Sequence, residues 1–600
     1  MAVKEKQPGL GKIINLLNNF VLMSVVVSWD GVTAQNVPGL VKFSLGRFQK
    51  VSVTQNFPVE AVLTRIPGDI THVIFQFHSQ YCNATVSYDQ EYHKEDLLQA
   101  LRSENMRFLE QSTDKAPTPN TSLTAHDAGL VSALRLQQNS LQWYMESPES
   151  KPVSGMAVIL PYKAKDPVPG GCNLEYNLDI EPNIYLHYNL FETIIWFAPA
   201  NIGHARGQTA PSCNVSSGQT SRMRLEYDIY QYFLPESDLS EQVFIGHIQK
   251  MANIREVAAN GKKLITLSSN DQPMVSFSSL PGQGVIYSII VRDPVFNTSA
   301  SYVPVHTYAC SFTSTLDNCY TLGKISTKVF FTIASMAGLF VCFFGHRFFK
   351  SELFCMGFIF TAFLFFVLIT RTTPLSYDMR LSLTALMGVV GGVLLVLCWW
   401  RFGSPLLSIL IVGLILGFLF SSILFFTPIG DFEIFRSDVV FWVTFTSIAL
   451  VIPLICVGLP REGNITACGV VGGYTVILAV NSYTYTSLTY ITLDILKRAL
   501  NNNFSKAFTN IPFQGIDFIM ITVWAVLAVS GMVLQLYRER TRPVFPPSPY
   551  MMWKQERDRR KTNILDPSYH VPPLRARLKS RVEEMFRREE PAGERTPLLL

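Results

Sequence analysis

Seven long apolar stretches, separated by short polar breaks, occupy residues 325 to 537 of this chain. Each is long enough to cross a bilayer core of ~30 Å, which takes roughly 20 apolar residues at helical rise. Because stretches such as 354–369 and 406–426 contain no Asp, Glu, Lys or Arg, they offer no polar face to water. The pattern predicts a seven-helix transmembrane domain over residues 323–537. Its segments are 325–345, 353–370, 381–400, 406–426, 439–459, 465–486 and 516–537.

Upstream of these stretches the pattern changes to short, alternating, β-branched segments bounded by Gly, Pro and Asn. Segments such as Thr71–Phe77 and Val285–Val291 are typical of antiparallel β-sandwiches. A region of about 290 residues is large for one sandwich, and the Pro- and Gly-rich stretch Asp166–Gly171 could mark a seam. We therefore predict a mostly-β ectodomain with two sandwich-like domains, residues 35–165 and 166–322. Residues 94–128 read as an inserted polar loop, in which 93–109 could form one helix.

The amino terminus has the pattern of a secretory signal peptide. Three lysines precede the apolar stretch Phe20–Val27, and Val32 and Ala34 supply small residues at the −3 and −1 positions. We predict a signal peptide over residues 1–34, cleaved after Ala34; an uncleaved anchor helix is the alternative. In either case residues 35 to about 322 are delivered to the lumen or the cell exterior.

The orientation of the bundle follows from the basic cluster that begins at Arg538, directly after the last apolar stretch. Lys and Arg are enriched on the cytosolic side of membrane proteins, so this cluster places the carboxyl terminus in the cytosol. The loop 487–515 is then luminal, which makes its sequon at Asn503 a glycosylation site, whereas Asn464 faces the cytosol and stays bare. Four further sequons lie in the ectodomain, at Asn83, Asn120, Asn214 and Asn297.

Five cysteines precede the membrane domain: Cys82, Cys172, Cys213, Cys310 and Cys319. An oxidising compartment permits disulfides. Cys310 and Cys319 are close enough in sequence to pair, and Cys172 could pair with Cys213 or with Cys82. Because the number is odd, one thiol stays free or pairs elsewhere.

Small residues recur four apart in three of the apolar stretches, as Gly388 with Gly392, Gly413 with Gly417, and Gly469 with Gly473. Two glycines at this spacing share one helix face and let a second backbone approach closely. Packing within the bundle is one use of these faces, and homodimerisation is the alternative.

The apolar stretches offer little chemistry for an enzyme. His346 is the only histidine between residues 325 and 537, so the several-histidine zinc site of ceramidase-type hydrolases cannot be built there. A G-x-S-x-G elbow with a histidine partner is also absent from the sequence. We predict a protein that is not an enzyme and needs no cofactor. The polar residues of the sixth stretch, among them Thr475 and Asn481, could line a cavity or hydrogen-bond to neighbouring helices.

The last part of the chain, residues 538–600, is basic and rich in proline. The basic excess there points to a tail beside an anionic membrane leaflet and not to nucleic acid. Residues 574–590 could form an amphipathic helix on that leaflet, or the tail could be disordered. Glu594 with Leu598 and Leu599 matches an acidic dileucine sorting signal, which predicts sorting adaptors as partners. We therefore expect the protein at the plasma membrane and in the endosome and lysosome pathway.

Taken together, these features resemble the transmembrane 7 superfamily member 3 family, whose seven-helix domain is shared with transmembrane protein 198. The features that carry the resemblance are the signal peptide, the β-rich ectodomain with sequons, the seven stretches with Gly388-Val-Val-Gly-Gly in the third, and the terminal Glu594-Arg-Thr-Pro-Leu-Leu-Leu. The resemblance implies a multi-pass membrane glycoprotein linked to cell survival and stress homeostasis, with no catalytic residues to carry over.

Our leading hypothesis is a non-enzymatic membrane glycoprotein whose ectodomain binds a protein or glycan partner while the bundle transmits or scaffolds. The alternative is a transporter or lipid-handling bundle with a regulatory ectodomain. A cavity lined by the polar groups of the sixth stretch at mid-membrane would favour the alternative, and a tightly packed bundle would favour the first hypothesis.

Overall fold

The computed structural model describes residues 39–562 and residues 575 and 579–580. Within the first range it leaves out 56–57, 90–121, 174–179, 190, 219–220, 236–237, 315–317, 322, 404, 485, 542 and 547–548. A β-sheet ectodomain precedes seven long apolar helices, which confirms the predicted fold class. The helix considered for residues 93–109 lies outside the described residues.

The first domain is a sandwich of two sheets, with strand orders β1-β3-β8-β5-β6 and β2-β9-β4-β7. Buried and half-buried residues alternate along β3: Val59, Ala61 and Leu63 face the core, while the residues between them are half-buried. The strands are β1 Leu40–Phe43, β2 Gln49–Val53, β3 Val59–Thr64, β4 Ile70–His78, β5 Ala84–Ser87, β6 Ser122–Ala125, β7 Asp127–Ala133, β8 Ser140–Glu146 and β9 Val153–Lys163.

The second domain places a three-stranded sheet, β10-β11-β14, opposite a sheet of order β13-β12-β15-β16, in which β17 also pairs with β15. Its strands are β10 Ile184–Tyr188, β11 Glu192–Phe197, β12 Glu226–Phe233, β13 Lys262–Ser268, β14 Met274–Ser278, β15 Val285–Asp293, β16 Thr298–Ser301 and β17 Val305–Thr307. Two helices, α1 Glu241–Ala252 and α2 Ile254–Asn260, connect β12 to β13.

The two sandwiches share a buried contact. All nine residues of β4 are buried, because one face of its sheet lies in the first core while the other packs on the second domain. Ile74, Val158 and Tyr162 therefore belong to the same hydrophobic cluster as Ile289 and Tyr302. At the predicted seam, Val168 forms a β-bridge with Asn201, so that residue is already part of the second domain.

The seven apolar helices are α3 Ile325–Phe344, α4 Phe349–Thr372, α5 Tyr377–Phe402, α6 Pro405–Phe426, α7 Asp438–Gly458, α8 Pro460–Thr484 and α10 Gly515–Glu539. Helix α4 packs along α5, α6 along α7, and α8 contacts α3, α6 and α10. In the apolar part of α8, 61% of the residues are buried inside the chain, against 17% in α3. Helix α8 is therefore the centre of the bundle, whereas α3 offers most of its surface to lipid.

Two shorter helices flank the last span. Helix α9, Tyr490–Leu500, folds within the segment 487–515 that reads as a loop in the sequence. Helix α11, Pro549–Thr562, follows the bundle, and its Tyr550 ring lies 5.9 Å from that of Trp400 and 4.3 Å from the Arg401 guanidinium. The start of the tail is thus attached to the end of α5.

Candidate functional site

The ectodomain contacts the bundle at a junction formed by α9 and residues 501–514 against the second sandwich. At its centre Lys497 is 2% exposed, and its Nζ donates to Ser278 Oγ and to the Ser279 carbonyl oxygen, both at 2.9 Å. Ser278 Oγ in turn donates to Asp494 Oδ1 at 3.0 Å, and this carboxylate lies 3.7 Å from Lys497 Nζ. A buried ammonium is costly unless it is paired and hydrogen-bonded, so these contacts hold the two parts of the chain together.

Helix α9 has the local features that place Lys497 there. Ile491 and Ile495, four residues apart, form its buried face, and Lys497 and Arg498 lie in its last turn. Basic side chains near a helix carboxyl terminus interact favourably with the helix dipole. The rings of Tyr490 and Phe504 lie 5.0 and 5.8 Å from Lys497 Nζ and complete its surroundings.

Burial shifts both ionisable groups of this pair towards their neutral forms. Desolvation raises the pKa of Asp494 to about 6, although Lys497 opposes the shift. Desolvation also lowers the pKa of Lys497 to about 8, against the opposing effect of Asp494. The pKa values of Asp494 and Lys497 therefore lie closer to neutral pH than those of an exposed aspartate and lysine.

The junction also contains a backbone connection. Phe508 N donates to the Ser276 carbonyl oxygen at 2.9 Å, and Ser278 N donates to the Phe508 carbonyl oxygen at 2.8 Å. Phe508 thereby adds one residue of parallel pairing to β14, and its ring packs on the core of the second sandwich. Nearby, Asn501 Nδ2 donates to Glu192 Oε1 at 3.0 Å.

A small cavity of about 60 Å³ lies beside the junction, between the ends of α6 and α9 and the start of α7. Its lining includes Asp431, Arg436, Asp494, Arg498 and Thr509. This volume suits a few water molecules, since one water takes roughly 10–15 Å³ of such space. The junction is thus a hydrogen-bonded contact with room beside it for a few water molecules.

A second polar centre, the His–Asp cluster of His78, His126, Asp127 and His306, lies where the two sandwiches meet. Asp127, the first residue of β7, accepts from His78 Nδ1 through Oδ1 and from His306 Nδ1 through Oδ2, both at 2.7 Å. The backbone N–H of His306, on β17 of the second domain, also donates to Asp127 Oδ2 at 2.8 Å. One buried carboxylate therefore links the two domains.

The electrostatics of Asp127 follow from these contacts. Burial alone raises the pKa of this carboxyl, but the charges and hydrogen bonds of His306 and His78 outweigh burial and hold the pKa well below its usual range. Asp127 is accordingly a buried anion at neutral pH. His126 packs edge-on against His306, with ring centroids 5.1 Å apart.

Inside the bundle, polar residues of α8 make hydrogen bonds within the helix and to nearby elements, whereas Asn481 Nδ2 has no partner. Thr475 Oγ1 donates to the Gly472 carbonyl oxygen, and Tyr474 OH donates to the Leu488 carbonyl oxygen. The Asn481 amide oxygen accepts from Thr486, and Tyr483 OH pairs with Thr332 Oγ1 at 2.9 Å. Of the two readings of this polar stripe, the contacts favour hydrogen bonding over a cavity lining.

One ionisable residue of the bundle has no counterpart in the sequence predictions. Glu352, in the first turn of α4, is fully buried, and neither carboxylate oxygen accepts a hydrogen bond of good geometry. The side chains of Asn464 and Cys468 face it from α8, and Asn464 Nδ2 lies 3.1 Å from His346 Nδ1. His346 is therefore buried in a polar group at the end of the bundle away from the ectodomain.

The six glycines singled out in the sequence all lie at contacts between helices of this chain. A Cβ on Gly417 would lie 2.2 Å from the Ala449 carbonyl oxygen of α7, and one on Gly469 would lie 2.8 Å from Met532 of α10. These contacts place the small residues within the bundle. In the same way, Gly388 and Gly392 approach α4, Gly413 approaches α7 and Gly473 approaches α10.

The cysteines form two disulfides, Cys172–Cys213 and Cys310–Cys319, and Cys82 is unpaired and half-buried. Of the alternatives open for Cys172, the structure therefore selects Cys213. The sequon residues Asn83, Asn214 and Asn297 are exposed, as glycosylation requires.

Several predicted features cannot be placed. Residues 1–34, Asn120, the sorting residues Glu594, Leu598 and Leu599, and most of 574–590 lie outside the described residues. Asn503 lies in a short 3-10 turn at Asn502–Lys506, beside the junction.

Comparisons with known proteins give the same division of the chain. Residues 39–101 and 109–162 match a family model described as the TM7SF3-like, N-terminal immunoglobulin-like domain. Residues 167–313 match the TM7SF3-like, second immunoglobulin-like domain, and residues 331–536 match the TM7S3/TM198-like domain. The two sandwiches are therefore immunoglobulin-like.

Whole-chain relatives extend the match across the domains. Transmembrane 7 superfamily member 3 of Rattus norvegicus is 55% identical over 570 residues, which cover 94% of this chain and 96% of the relative. The Homo sapiens protein of that name is 54% identical over 567 residues, covering 94% and 95%. The Mus musculus protein is 55% identical over 570 residues, covering 94% and 96%.

Proposed function

This chain belongs to the transmembrane 7 superfamily member 3 family of multi-pass membrane proteins, and from that premise we propose that it is a non-enzymatic receptor or scaffold. In this proposal the immunoglobulin-like ectodomain binds a protein or glycan partner. The bundle then transmits the bound state or holds the ectodomain in a fixed orientation. The biological outcome we propose is support of cell survival and of stress homeostasis in the secretory pathway.

The observation that carries this proposal is the junction. If the ectodomain were a tethered module, its last strand would lead to the membrane through a flexible linker, and its state would not reach the bundle. Here Lys497, Phe508 and Asn501, which belong to the bundle side, contact strands β11 and β14 through hydrogen bonds. A partner that shifts the second sandwich therefore acts directly on α9, which packs on α6.

The proposal includes the sidedness that these roles require. The ectodomain faces the lumen or the cell exterior with glycans on its sequons, and the basic tail faces the cytosol beside anionic lipids and sorting adaptors. The protein travels by way of the plasma membrane to endosomes and lysosomes. Exposed sequon residues and the attachment of α11 to the end of α5 support this arrangement.

The test replaces Lys497 by Met, which keeps an unbranched side chain of nearly the same length and removes its charge. Lys506→Met is the matched control, because Lys506 lies in the same segment and is exposed. In cells lacking their own copy of the protein, we expect Lys497→Met to reach the cell surface and to lose the protection that the wild type gives during secretory-pathway stress. Purified Lys497→Met should also show faster hydrogen exchange in β14, because its contacts with residues 497 and 508 are weakened.

Lys506→Met should behave as the wild type in both assays. Coupling through the junction would be refuted if Lys497→Met opened β14 to exchange and still protected stressed cells fully.

A second candidate function is transport or lipid handling by the bundle, and Glu352 is the observation that favours it. A buried carboxyl without well-formed hydrogen bonds in a membrane domain is a functional marker by default, since such groups are costly to bury. Against this candidate stand Tyr474, Thr475 and Tyr483 of α8, whose hydroxyls are engaged in hydrogen bonds. Ion or lipid flux in proteoliposomes that Glu352→Gln abolishes would favour transport.

A further inference from the structure

The His–Asp cluster contains three side chains of the kinds that bind transition metals. One ligand atom from each of His126, Asp127 and His306 can be chosen so that all three lie within 4.8 Å of one another. Imidazole nitrogen with carboxylate oxygen is a donor set that suits Zn²⁺ better than Ca²⁺ or Mg²⁺, which prefer oxygen ligands alone.

His306 lies between two acceptors, and a positive charge, either a second ring proton or a metal ion, satisfies both of them. Its Nδ1 lies 2.7 Å from Asp127 Oδ2, and its Nε2 lies 3.4 Å from the Gln80 carbonyl oxygen. Both neighbours are acceptors, whereas a neutral imidazole carries only one N–H. When that proton is on Nε2, the Nδ1 lone pair points at a carboxylate oxygen, and a positive charge between the two atoms removes the repulsion.

The contacts around the cluster are those that support metal ligands. A ligating histidine usually donates its second N–H to a carbonyl or carboxylate, and a ligating carboxylate is usually hydrogen-bonded through its other oxygen. The Gln80 carbonyl oxygen can accept from His306 Nε2, and His78 Nδ1 lies 2.7 Å from Asp127 Oδ1. These partners orient both residues towards the same point.

The third side chain provides access from solvent. The His126 side chain is 46% exposed and its Nε2 lies 3.9 Å from Asp127 Oδ2, whereas Asp127 and His306 are buried. In a tetrahedral zinc site with bonds of ~2.0–2.1 Å, ligand atoms are about 3.3 Å apart. Rotation of the partly exposed His126 ring can shorten the 3.9 Å distance, and the 2.7 Å distance between Asp127 Oδ2 and His306 Nδ1 has to lengthen by about 0.6 Å when the ion enters.

We propose that His126, Asp127 and His306 form a Zn²⁺ site between the two immunoglobulin-like domains, with water as the fourth ligand. His126 and Asp127 come from the first domain and His306 from the second, so the bound ion joins the domains. Because Zn²⁺ binds the folded arrangement and not the separated ligands, it stabilises the contact by mass action. The site is independent of the junction and of the partner proposed above.

The test uses the full-length protein in detergent, stripped with a chelator and titrated with Co²⁺ and then with Zn²⁺. We expect about one Co²⁺ per chain, with the visible absorption of a four-coordinate nitrogen and oxygen site. Zn²⁺ should displace the Co²⁺ and raise Tm as its concentration rises.

His126→Ala removes the exposed ligand, and we expect at least a tenfold loss of affinity, since even an outer-shell change costs 10–100-fold. His187→Ala is the matched control, because His187 is an exposed ectodomain histidine on β10 outside the cluster. This variant should bind as the wild type does.

Two results would overturn the site. One is a wild-type protein that binds neither Co²⁺ nor Zn²⁺ stoichiometrically at micromolar free metal, which would mean that hydrogen bonds alone hold the cluster together. The other is a His126→Ala protein, folded by circular dichroism, that binds either ion as tightly as the wild type.

Discussion

The ectodomain buries its large side chains inside the chain, whereas the bundle turns many of its own outward. Trp143, Phe277 and Tyr287 of the sandwiches are almost completely buried, while Leu454 and Val439 of α7 are 68% and 74% exposed. Water drives the first arrangement through the hydrophobic effect. In lipid that driving force between helices is absent, so the bundle depends on close backbone contact at small residues. Different kinds of mutation should therefore destabilise the two regions.

Their buried polar groups differ in the same way. In the ectodomain, Asp127 accepts three hydrogen bonds and joins two domains. In the bundle, Glu352 is equally buried and accepts no hydrogen bond of good geometry. Removing a partner of Asp127 would leave a buried charge uncompensated, whereas the buried carboxyl of Glu352 already lacks well-formed hydrogen bonds.

The largest expected effect comes from Asp127→Asn in the ectodomain. Removing one partner of a buried charge network costs about 3–5 kcal/mol, so the variant should lower the unfolding free energy of the sandwiches and leave the bundle intact. Hydrogen exchange in β7 and β17, compared with exchange in α8, measures the difference.

The same variant has a pH signature. Because the pKa of Asp127 is lowered in the folded chain, its contribution is fully present above its unfolded pKa of about 4 and is lost as pH falls further. Asp127→Asn should lack this part of the acid-induced loss of stability. Asp69→Asn is the control, since Asp69 is exposed in the same domain. Equal stability of Asp127→Asn and wild type at pH 7 would contradict the role of the cluster.

The two disulfides should differ in strength. Cys172–Cys213 closes a sequence separation of 41 residues and Cys310–Cys319 one of 9. From loop-closure entropy, replacing both cysteines by serine should cost about 4 kcal/mol for the first bridge and about 2.7 kcal/mol for the second. Denaturant unfolding of the paired Ser variants tests the order, and the reverse order would show that strain or residual structure dominates.

In the bundle, Gly417→Ala should cost about 1–3 kcal/mol, because its Cβ would lie 2.2 Å from the Ala449 carbonyl oxygen and force α6 and α7 apart. Gly458→Ala, in α7, meets nothing within 4 Å and serves as the matched control. Thermal unfolding in detergent should separate the two variants. A Gly417→Ala protein as stable as the control would show that the bundle tolerates looser packing.

The smallest effect should come from Lys50→Ala. Lys50 Nζ lies 3.3 Å from Glu241 Oε1 across the domain contact, but its side chain is 60% exposed. Such pairs contribute about 0–1 kcal/mol and weaken with salt. Unfolding at low and high salt should show a difference near the limit of measurement, and a loss above about 1 kcal/mol would mean that this edge of the contact is desolvated.

The sequence predicts the seven spans and the β character of the ectodomain because both depend on local patterns. The length of an apolar stretch identifies a membrane span, and the alternation of apolar and polar residues identifies a half-buried strand. Strand β4 already shows the limit: both of its faces are buried, since a second domain covers the side that ordinarily faces water.

The functional contacts depend on residues far apart in the chain, and this is why sequence reasoning missed them. Lys497 lies in a stretch that reads as a loop, and its burial depends on contacts with Ser278 and Ser279, more than 200 residues earlier in the chain. His78, Asp127 and His306 are ordinary residues when taken singly. His346 and Glu352 lie at helix ends, where a charge in water is the usual outcome.

The pairing of Phe508 with β14 has a consequence for biogenesis. The free edge of β14 emerges from the ribosome some 230 residues before Phe508, the residue that completes it. At ~5–20 residues per second this interval lasts about 10 to 50 s, during which an unpaired strand edge is exposed to other chains. Until residue 508 is made, Ser276 and Ser278 at this edge lack the backbone partner that they have in the finished chain.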